Sequence, residues 1–204
     1  MRPKPTGNAM FSKARLDTLS DGIFGVAMTL LILDVRLPED FHPADGTELL
    51  RGLAGFWLKF FPYVLSFSVL GLRWLANIEV RSRAEYFNRE YVNWWLLYHF
   101  LITCVPFTTI VVGRFGHFAP AVWLYAGHTL LIAAVGLRLV AITPHLDQGD
   151  HLRFRQLSAM LLIVSSLFAI ALSFVNVRIA LWALALNFAG PMIRVWSKRV
   201  AALD

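Results

Sequence analysis

Residues 15–34 read RLDTLSDGIFGVAMTLLILD, a run that begins with ionisable side chains and continues without a charge from Gly22 to Leu33. The hydrocarbon core of a bilayer is about 30 Å thick, and a helix crosses it with roughly 20 mostly apolar residues. Ionisable groups where a helix enters the membrane are costly, and they usually face protein or water. The run therefore predicts a membrane helix whose first turns lie in a polar environment.

The rest of the chain has the same apolar character. Of 204 residues, 57% are hydrophobic and only 16% are charged, with a mean hydropathy of +0.59, whereas soluble domains have about 25% charged residues. A soluble domain of this size has too little interior for 7 Trp and 16 Phe, since it leaves roughly a third of its chain surface exposed. This composition excludes a soluble enzyme, a disordered chain and a secreted disulfide scaffold.

Cysteine and histidine usage bears on metal and cofactor chemistry. Cys104 is the single cysteine, which excludes an intrachain disulfide and a cysteine-built metal site within one chain. The six histidines are scattered without a pair at metal-binding spacing. No phosphate-binding loop or nucleophile motif is present either. We therefore expect no catalytic residues, no metal site and no cofactor.

Six segments are long and apolar enough to span a membrane. They predict an all-α membrane protein made of one transmembrane domain over residues 1–204. The spans are expected at about 16–37, 54–75, 92–113, 119–142, 156–175 and 177–196.

The basic residues are distributed unequally between the two sides of these spans. One side carries 14 Lys or Arg: four at the N-terminus, four in the region between the second and third spans, three between the fourth and fifth, and three at the C-terminus. The other side carries five. Cytoplasmic loops are enriched in Lys and Arg. The count therefore predicts both termini in the cytoplasm, and it explains the basic pI near 9.9 without nucleic acid as a partner.

Two groups of residues in the first helix are candidate functional residues. The polar group is Arg15, Ser20 and Asp21, for which helix capping and an inter-helix polar network are both open. The second group follows the i, i+4, i+7, i+8, i+11 spacing of one helix face; it consists of Gly22, Val26, Thr29, Leu30 and Leu33. By itself such a stripe fits ordinary helix packing as well as a pore.

This helix resembles the opening of the transmembrane-protein-175 family of lysosomal and bacterial potassium channels. The family signature is Arg, three residues, Phe-Ser-Asp and a following Gly. Here Arg15 is followed after three residues by Leu19-Ser20-Asp21-Gly22, with Leu19 in place of Phe. Further resemblance lies in segments 29–34, 66–74 and 105–109. After Trp74 the family usually has Asn-His-His, where this chain has Leu-Ala-Asn.

The resemblance implies a potassium-selective, leak-type channel that is not an enzyme, assembled as a homotetramer around a pore lined by the first helix. It places the apolar constriction on Val26, Leu30 and Leu33, beside the hydroxyl of Thr29. Like the family, this chain lacks the Thr-Val-Gly-Tyr-Gly filter of ordinary potassium channels. Four apolar side chains that meet on an axis exclude water and form a hydrophobic gate. The expected location is the bilayer of a bacterial inner (plasma) membrane, with K⁺ and other monovalent cations as permeant ions.

A secondary or proton-coupled transporter is the alternative. Transporters of that class show internal repeats and broken helices with Gly or Pro at matching positions. Pro62 and Pro106 lie within the second and third predicted spans, but the sequence has no evident two-fold repeat. The channel class is therefore the first hypothesis.

The predicted orientation can be measured with C-terminal fusions. We expect a C-terminal green fluorescent protein to be fluorescent and a C-terminal alkaline phosphatase to be inactive, because the first folds in the cytoplasm and the second outside it. An active phosphatase fusion would contradict the orientation.

Overall fold

The computed structural model describes residues 10–37, 41–79, 84–143 and 150–183, which form helices and one short ribbon. The elements are β1 (Phe11–Ser12), α1 (Lys13–Leu30), α2 (Gly46–Glu79), β2 (Tyr86–Phe87), α3 (Arg89–Phe115), α4 (Ala119–Ile142), α5 (Asp150–Ser173) and α6 (Val177–Ala183). Helix α1 continues into a 3₁₀ turn at Leu31–Asp34.

Among the described residues, five helical segments are long and apolar enough to cross a membrane. They are Lys13–Leu33, Phe60–Ile78, Arg89–Phe115, Ala119–Ile142 and Gln156–Ser173, and they correspond to the first five predicted spans. The sixth predicted span, 177–196, begins as α6, and its part beyond Ala183 lies outside the described residues.

Helix α2 begins at Gly46, well before the predicted boundary at 54. Its start is capped by two acidic side chains: the Asp45 carboxylate accepts the Glu48 backbone N–H at 2.7 Å, and the Glu48 carboxylate accepts the Ala44 N–H at 2.7 Å. Such reciprocal capping satisfies N–H groups that have no partner inside the helix. Local hydrogen bonding thus starts the helix ahead of its apolar stretch.

The prolines leave both of their helices unbroken. Pro62 lies inside α2 and Pro106 inside α3, and each helix runs continuously through its proline. The broken helices typical of secondary transporters are therefore not found at these two positions.

A two-residue ribbon fixes the start of α1. Phe11 pairs with Phe87 and Ser12 with Tyr86 in antiparallel fashion, and the Lys13 N–H donates to the Glu85 carbonyl at 2.9 Å. The connector ahead of α3 is thereby tied to the segment ahead of α1. Helices α1 and α3 begin, and helices α2 and α4 terminate, on the same side of the bundle. We call this side the entry end.

One face of α1 packs against α2 and α3. Its buried residues are spaced about one helical turn apart and are Leu16, Ser20, Phe24 and Ala27; buried Leu31 continues the line in the 3₁₀ turn. Phe24 and Ala27 are each 1% exposed and belong to a core shared with Leu70 and Ile102. The buried face is thus a single stripe that leaves the remainder of α1 outside the subunit core.

A second core between α2, α3, α4 and α5 contains buried hydroxyl groups. Ser66 Oγ lies 2.9 Å from Tyr125 Oη and 2.7 Å from Thr109 Oγ1, and Thr129 Oγ1 lies 2.8 Å from Ser166 Oγ. An unpaired polar group is costly in an apolar surrounding, so such hydroxyls bond across helices. These pairs join four helices in a core that lies apart from α1.

Candidate pore face and its polar anchor

The predicted stripe lies on the part of α1 that the subunit does not bury. Val26, Leu30 and Leu33 are 59%, 42% and 59% exposed, and Thr29 and Gly22 are exposed as well. The apolar side chains of the stripe therefore have little packing within their own subunit. Ile32, which lies outside the stripe, is also 43% exposed, so the uncovered surface of α1 is wider than the stripe.

The hydroxyl of Thr29 is oriented by its own helix. Its Oγ1 lies 3.0 Å from the Gly25 carbonyl oxygen and 2.9 Å from the Val26 carbonyl oxygen. Both oxygens are acceptors, so the hydroxyl proton points back along α1. The lone pairs of Oγ1 remain available on the exposed face, which suits an oxygen ligand for a cation.

The start of α1 is anchored to α3 through Ser20 and His99. His99 is 2% exposed, and its Nδ1 lies 2.8 Å from the Trp95 carbonyl oxygen while its Nε2 lies 2.8 Å from Ser20 Oγ. Because a carbonyl can only accept, Nδ1 carries a proton. In the neutral ring Nε2 then accepts the Ser20 hydroxyl proton.

Aromatic rings enclose this histidine. Trp95 stacks on it at a centroid distance of 3.8 Å, and Phe24 and Tyr98 contact it edge-on at 5.9 and 5.3 Å. The enclosure restricts the imidazole to one orientation. Phe24 and Ser20 both lie on the buried face of α1, so His99 acts as a fixed contact for that face.

Asp21 makes the second anchor, to α2. The indole Nε1–H of Trp74 donates to Asp21 Oδ1 at 2.9 Å. Ser20 and Asp21 are adjacent residues, about 100° apart around the helix, and they bond to two different neighbouring helices. Two bonds in different directions fix the rotation of α1 about its axis, and they thereby fix the direction in which the stripe points.

The structure brings Ser20 and Asp21 to this anchor, whereas Arg15 lies on an exposed part of α1. Among the described residues, the guanidinium of Arg15 forms no ion pair with Asp17 or Asp21. Asp17 pairs instead with Lys13, whose Nζ lies 2.8 Å from Asp17 Oδ2 on the surface of the helix. The anchor therefore consists of polar contacts between helices rather than an ion pair with Arg15.

Sequence reasoning did not identify the partners of the anchor. Trp74 lies in the segment that carried the family resemblance, and the imidazole comes from His99 of α3 rather than from a residue after Trp74. The available signals were a histidine within the third span and a tryptophan near the end of the second. Their pairing with residues 79 and 53 positions away depends on the tertiary structure.

In the part of the chain that the structure describes, no three His, Cys, Asp or Glu side chains lie together as a group that could hold a metal ion.

Comparisons with known proteins identify relatives of this chain. The family described as "Endosomal/lysosomal potassium channel TMEM175" matches residues 15–106. A protein named as a potassium channel from Streptomyces collinus is 31% identical over 150 residues, covering 70% of this chain and 68% of that protein. The rat endosomal/lysosomal proton channel TMEM175 is 35% identical over 75 residues, which is 34% of this chain and 15% of the rat protein.

A solved structure agrees with the fold. The crystal structure of a lysosomal potassium-selective channel TMEM175 homologue from Chamaesiphon minutus matches with a TM-score of 0.71 and 25% identity. The match covers 88% of this chain and 96% of that one.

Removing the Asp21 carboxylate tests the anchor. We expect Asp21→Ala to lower the yield of assembled oligomer, since a hydrogen bond to a charged group contributes about 1.5–3 kcal/mol and the Trp74 indole would lose its acceptor. Size-exclusion chromatography of detergent-solubilised protein measures that yield. The K⁺/Na⁺ permeability ratio of the channels that still assemble should stay close to that of the parent.

Asp17→Ala is the matched control, because Asp17 lies one turn earlier on α1 and forms only an exposed ion pair, worth about 0–1 kcal/mol. If Asp21→Ala assembles like the parent but loses its preference for K⁺, Asp21 is a permeation site and not an anchor.

Proposed function

The chain belongs to the TMEM175 family, a family of ion channels in membranes, and we propose that it is a potassium-selective, leak-type cation channel. In this proposal four copies of the six-span subunit assemble around a central axis. Helix α1 of each copy lines the pore, both termini are cytoplasmic, and the location is a bacterial inner membrane.

One observation carries the proposal: the face of α1 opposite the two anchors is apolar and uncovered by the subunit. Exposure in one subunit is common to surfaces that meet lipid, a neighbouring copy or a pore. The stripe differs from a lipid-facing surface by its narrow line of Gly22, Val26, Leu30 and Leu33 with the hydroxyl of Thr29 in between. Small residues permit close approach of helices around an axis, and the Thr29 oxygen on this face could coordinate a passing cation.

The apolar rings would act as the gate. In a four-fold assembly Val26, Leu30 and Leu33 would each form a ring, and the three rings would extend for about 10 Å along the axis at the rise of a helix. A constriction of this kind closes a pore because water leaves it, and an ion cannot cross it without hydration water. A modest widening that readmits water would open it, without any carbonyl-lined filter.

Selectivity would come from the fit of a partly hydrated cation and from the Thr29 oxygens. The hydroxyl proton of Thr29 is directed to the helix backbone, so four oxygens would face the axis with their lone pairs. Four hydroxyl groups replace fewer hydration waters than stacked rings of carbonyl oxygens. The preference for K⁺ over Na⁺ should therefore be weaker than in channels with a carbonyl filter.

The names of the relatives bear on which ion permeates. The bacterial relatives from Streptomyces collinus and Chamaesiphon minutus are named potassium channels and match 70% and 61% of this chain, whereas the mammalian relatives named proton channels match about a third of it. K⁺ is accordingly the first candidate and H⁺ the second. Current recordings in a planar bilayer distinguish the two ions. K⁺ is first replaced by Na⁺, and a pH gradient is then applied without K⁺.

The gate is tested by shortening one ring. Leu30→Ala should raise leak conductance severalfold and lower the K⁺/Na⁺ permeability ratio, since it removes most of a side chain from each of four subunits and lets water into the constriction. Single-channel recording of purified protein in a bilayer measures both quantities.

Leu131→Ala in α4 is the matched control, because Leu131 is similarly exposed, at 49%, but lies away from α1; its currents should equal those of the parent. Two results would contradict the pore assignment. One is unchanged current in Leu30→Ala, and the other is saturable flux at carrier-like turnover with no unitary steps, which would favour a transporter.

The Thr29 hydroxyl is tested separately from the apolar rings. Thr29→Val nearly preserves the volume of the side chain and removes its oxygen, so the K⁺/Na⁺ ratio should fall while the closed-state leak stays low. Thr103→Val in α3 is the control, since the Thr103 hydroxyl is also exposed and donates to the backbone of its own helix, at 2.7 Å from the Phe100 carbonyl oxygen. An unchanged ratio in Thr29→Val would show that Thr29 oxygens take no part in selectivity.

A further inference from the structure

A cavity of about 300 Å³ opens at the entry end of the bundle. The first turns of α1, the last turn of α2, β2, the first half of α3 and the end of α4 form its walls. On α3 the lining extends from Tyr91 to His99, which is about 12 Å along a helix. This volume is at the lower end of the range for small-molecule sites, about 300–1,000 Å³.

Aromatic side chains form much of the wall on the α3 side. They are Phe87, Tyr91, Trp95 and Tyr98. Phe87 and Tyr91 stack on each other with a centroid distance of 4.0 Å, and Trp95 is held against His99. These contacts restrict the rings, so the wall is preformed.

The charged part of the lining has an excess of negative charge. Among the described residues it comprises Lys13, Asp17 and Asp21. The Lys13 ammonium is committed to Asp17, 2.8 Å away, whereas the Asp21 carboxylate has only the neutral indole of Trp74 bonded to its Oδ1. Among the described lining residues, one negative charge therefore remains that no cation neutralises.

Rigid aromatic rings beside a carboxylate are the combination that holds an organic cation. The faces of Trp and Tyr attract ammonium groups, most strongly those that are weakly hydrated, and the carboxylate supplies the opposite charge. An anion would meet the two carboxylates of the described lining, Asp17 and Asp21. A neutral ligand would gain nothing from the Asp21 charge, and a small inorganic cation is hydrated too strongly to bind to ring faces.

We propose that this cavity is a binding site for a small organic ammonium compound. The ligand lies between the ring wall on the α3 side and the carboxylates of α1. A soluble amine and the ammonium headgroup of a membrane lipid share this chemistry, and the entry end is accessible to both because α1 to α4 enter the membrane there.

A ligand in the cavity would contact residues that hold α1 in position. Ser20, Asp21 and His99 line it, and these three residues also form the anchors that fix the rotation of α1. A bound ammonium therefore contacts the elements that orient the proposed pore face. The proposal concerns binding and does not depend on which ion the channel conducts.

The test measures binding to the full-length protein in nanodiscs of phosphatidylglycerol, which has no ammonium group. The probes are choline and its neutral carbon isostere 3,3-dimethylbutan-1-ol, and isothermal titration calorimetry gives both affinities. We expect saturable binding of choline at one site per subunit and an affinity for the isostere that is lower by roughly tenfold or more.

Variants of the lining locate the site. Tyr91→Leu removes a ring and Asp17→Asn removes a carboxylate, and each should weaken choline binding by roughly tenfold. Tyr86→Leu is the matched control, since Tyr86 is a neighbouring tyrosine that is 51% exposed and does not line the cavity; its affinity should equal that of the parent.

A second lipid composition identifies the source of the ammonium. In nanodiscs of phosphatidylcholine, an unchanged affinity for choline indicates a soluble ligand, whereas a reduced affinity indicates that the lipid headgroup already occupies the site. Either result supports an ammonium site.

Three outcomes would overturn the proposal: no saturable choline binding in phosphatidylglycerol, equal affinity for choline and its isostere, or equal loss in Tyr86→Leu and Tyr91→Leu. Each of these would leave the K⁺ currents of the parent and of Leu30→Ala unaffected. Failure of this site is therefore distinguishable from failure of the proposed channel.

Discussion

The apolar stripe and the cavity at the entry end both take their orientation from the rotation of α1 about its own axis. Inside a bilayer, apolar side chains gain little by leaving lipid for another helix, so close packing and interhelical hydrogen bonds determine how helices face each other. Ser20 bonds to His99 of α3 and Asp21 accepts from Trp74 of α2. The bond between Ser20 and His99 is buried, so few water molecules compete for it, whereas the bond between Asp21 and Trp74 is exposed. Together with Phe24 and Ala27 in the core, they turn one face of α1 inward and leave the opposite face uncovered.

That single constraint links the apolar stripe to the entry end of the bundle. A rotation of α1 by one residue would move Val26 and Leu30 by about 100° and would break both bonds. The ribbon between Phe11–Ser12 and Tyr86–Phe87 holds the start of the same helix. The residues that fix α1 also line the cavity at that end, so the geometry of the cavity and the direction of the stripe change together.

The hydroxyl groups of the subunit are found in two different environments, one buried between helices and one exposed on a helix face. Ser66, Thr109 and Tyr125 bond to each other in a core between helices, where an unpaired polar atom would be costly. Thr29 bonds only within its own helix and lies on the exposed face. A buried hydroxyl of the first kind stabilises the bundle, whereas an exposed one in an apolar stripe leaves an oxygen free for an external ligand. The proposed role of Thr29 in permeation requires an oxygen of the second kind.

The amino-acid sequence was sufficient to predict the membrane class, the positions of five spanning helices and the family. Each of these depends on local features: apolar runs of sufficient length, as in 119–142, and the Arg15–Gly22 signature. The charge count gave an orientation that is still a prediction. Helix ends such as Gly46 were missed, because capping by Asp45 and Glu48 extends α2 beyond its apolar stretch. Only the packing of the helices in three dimensions establishes the partners of Ser20 and Asp21, the uncovered face of α1 and the cavity. They join residues more than 50 positions apart, and the pattern of one helix contains no information about which neighbour it meets.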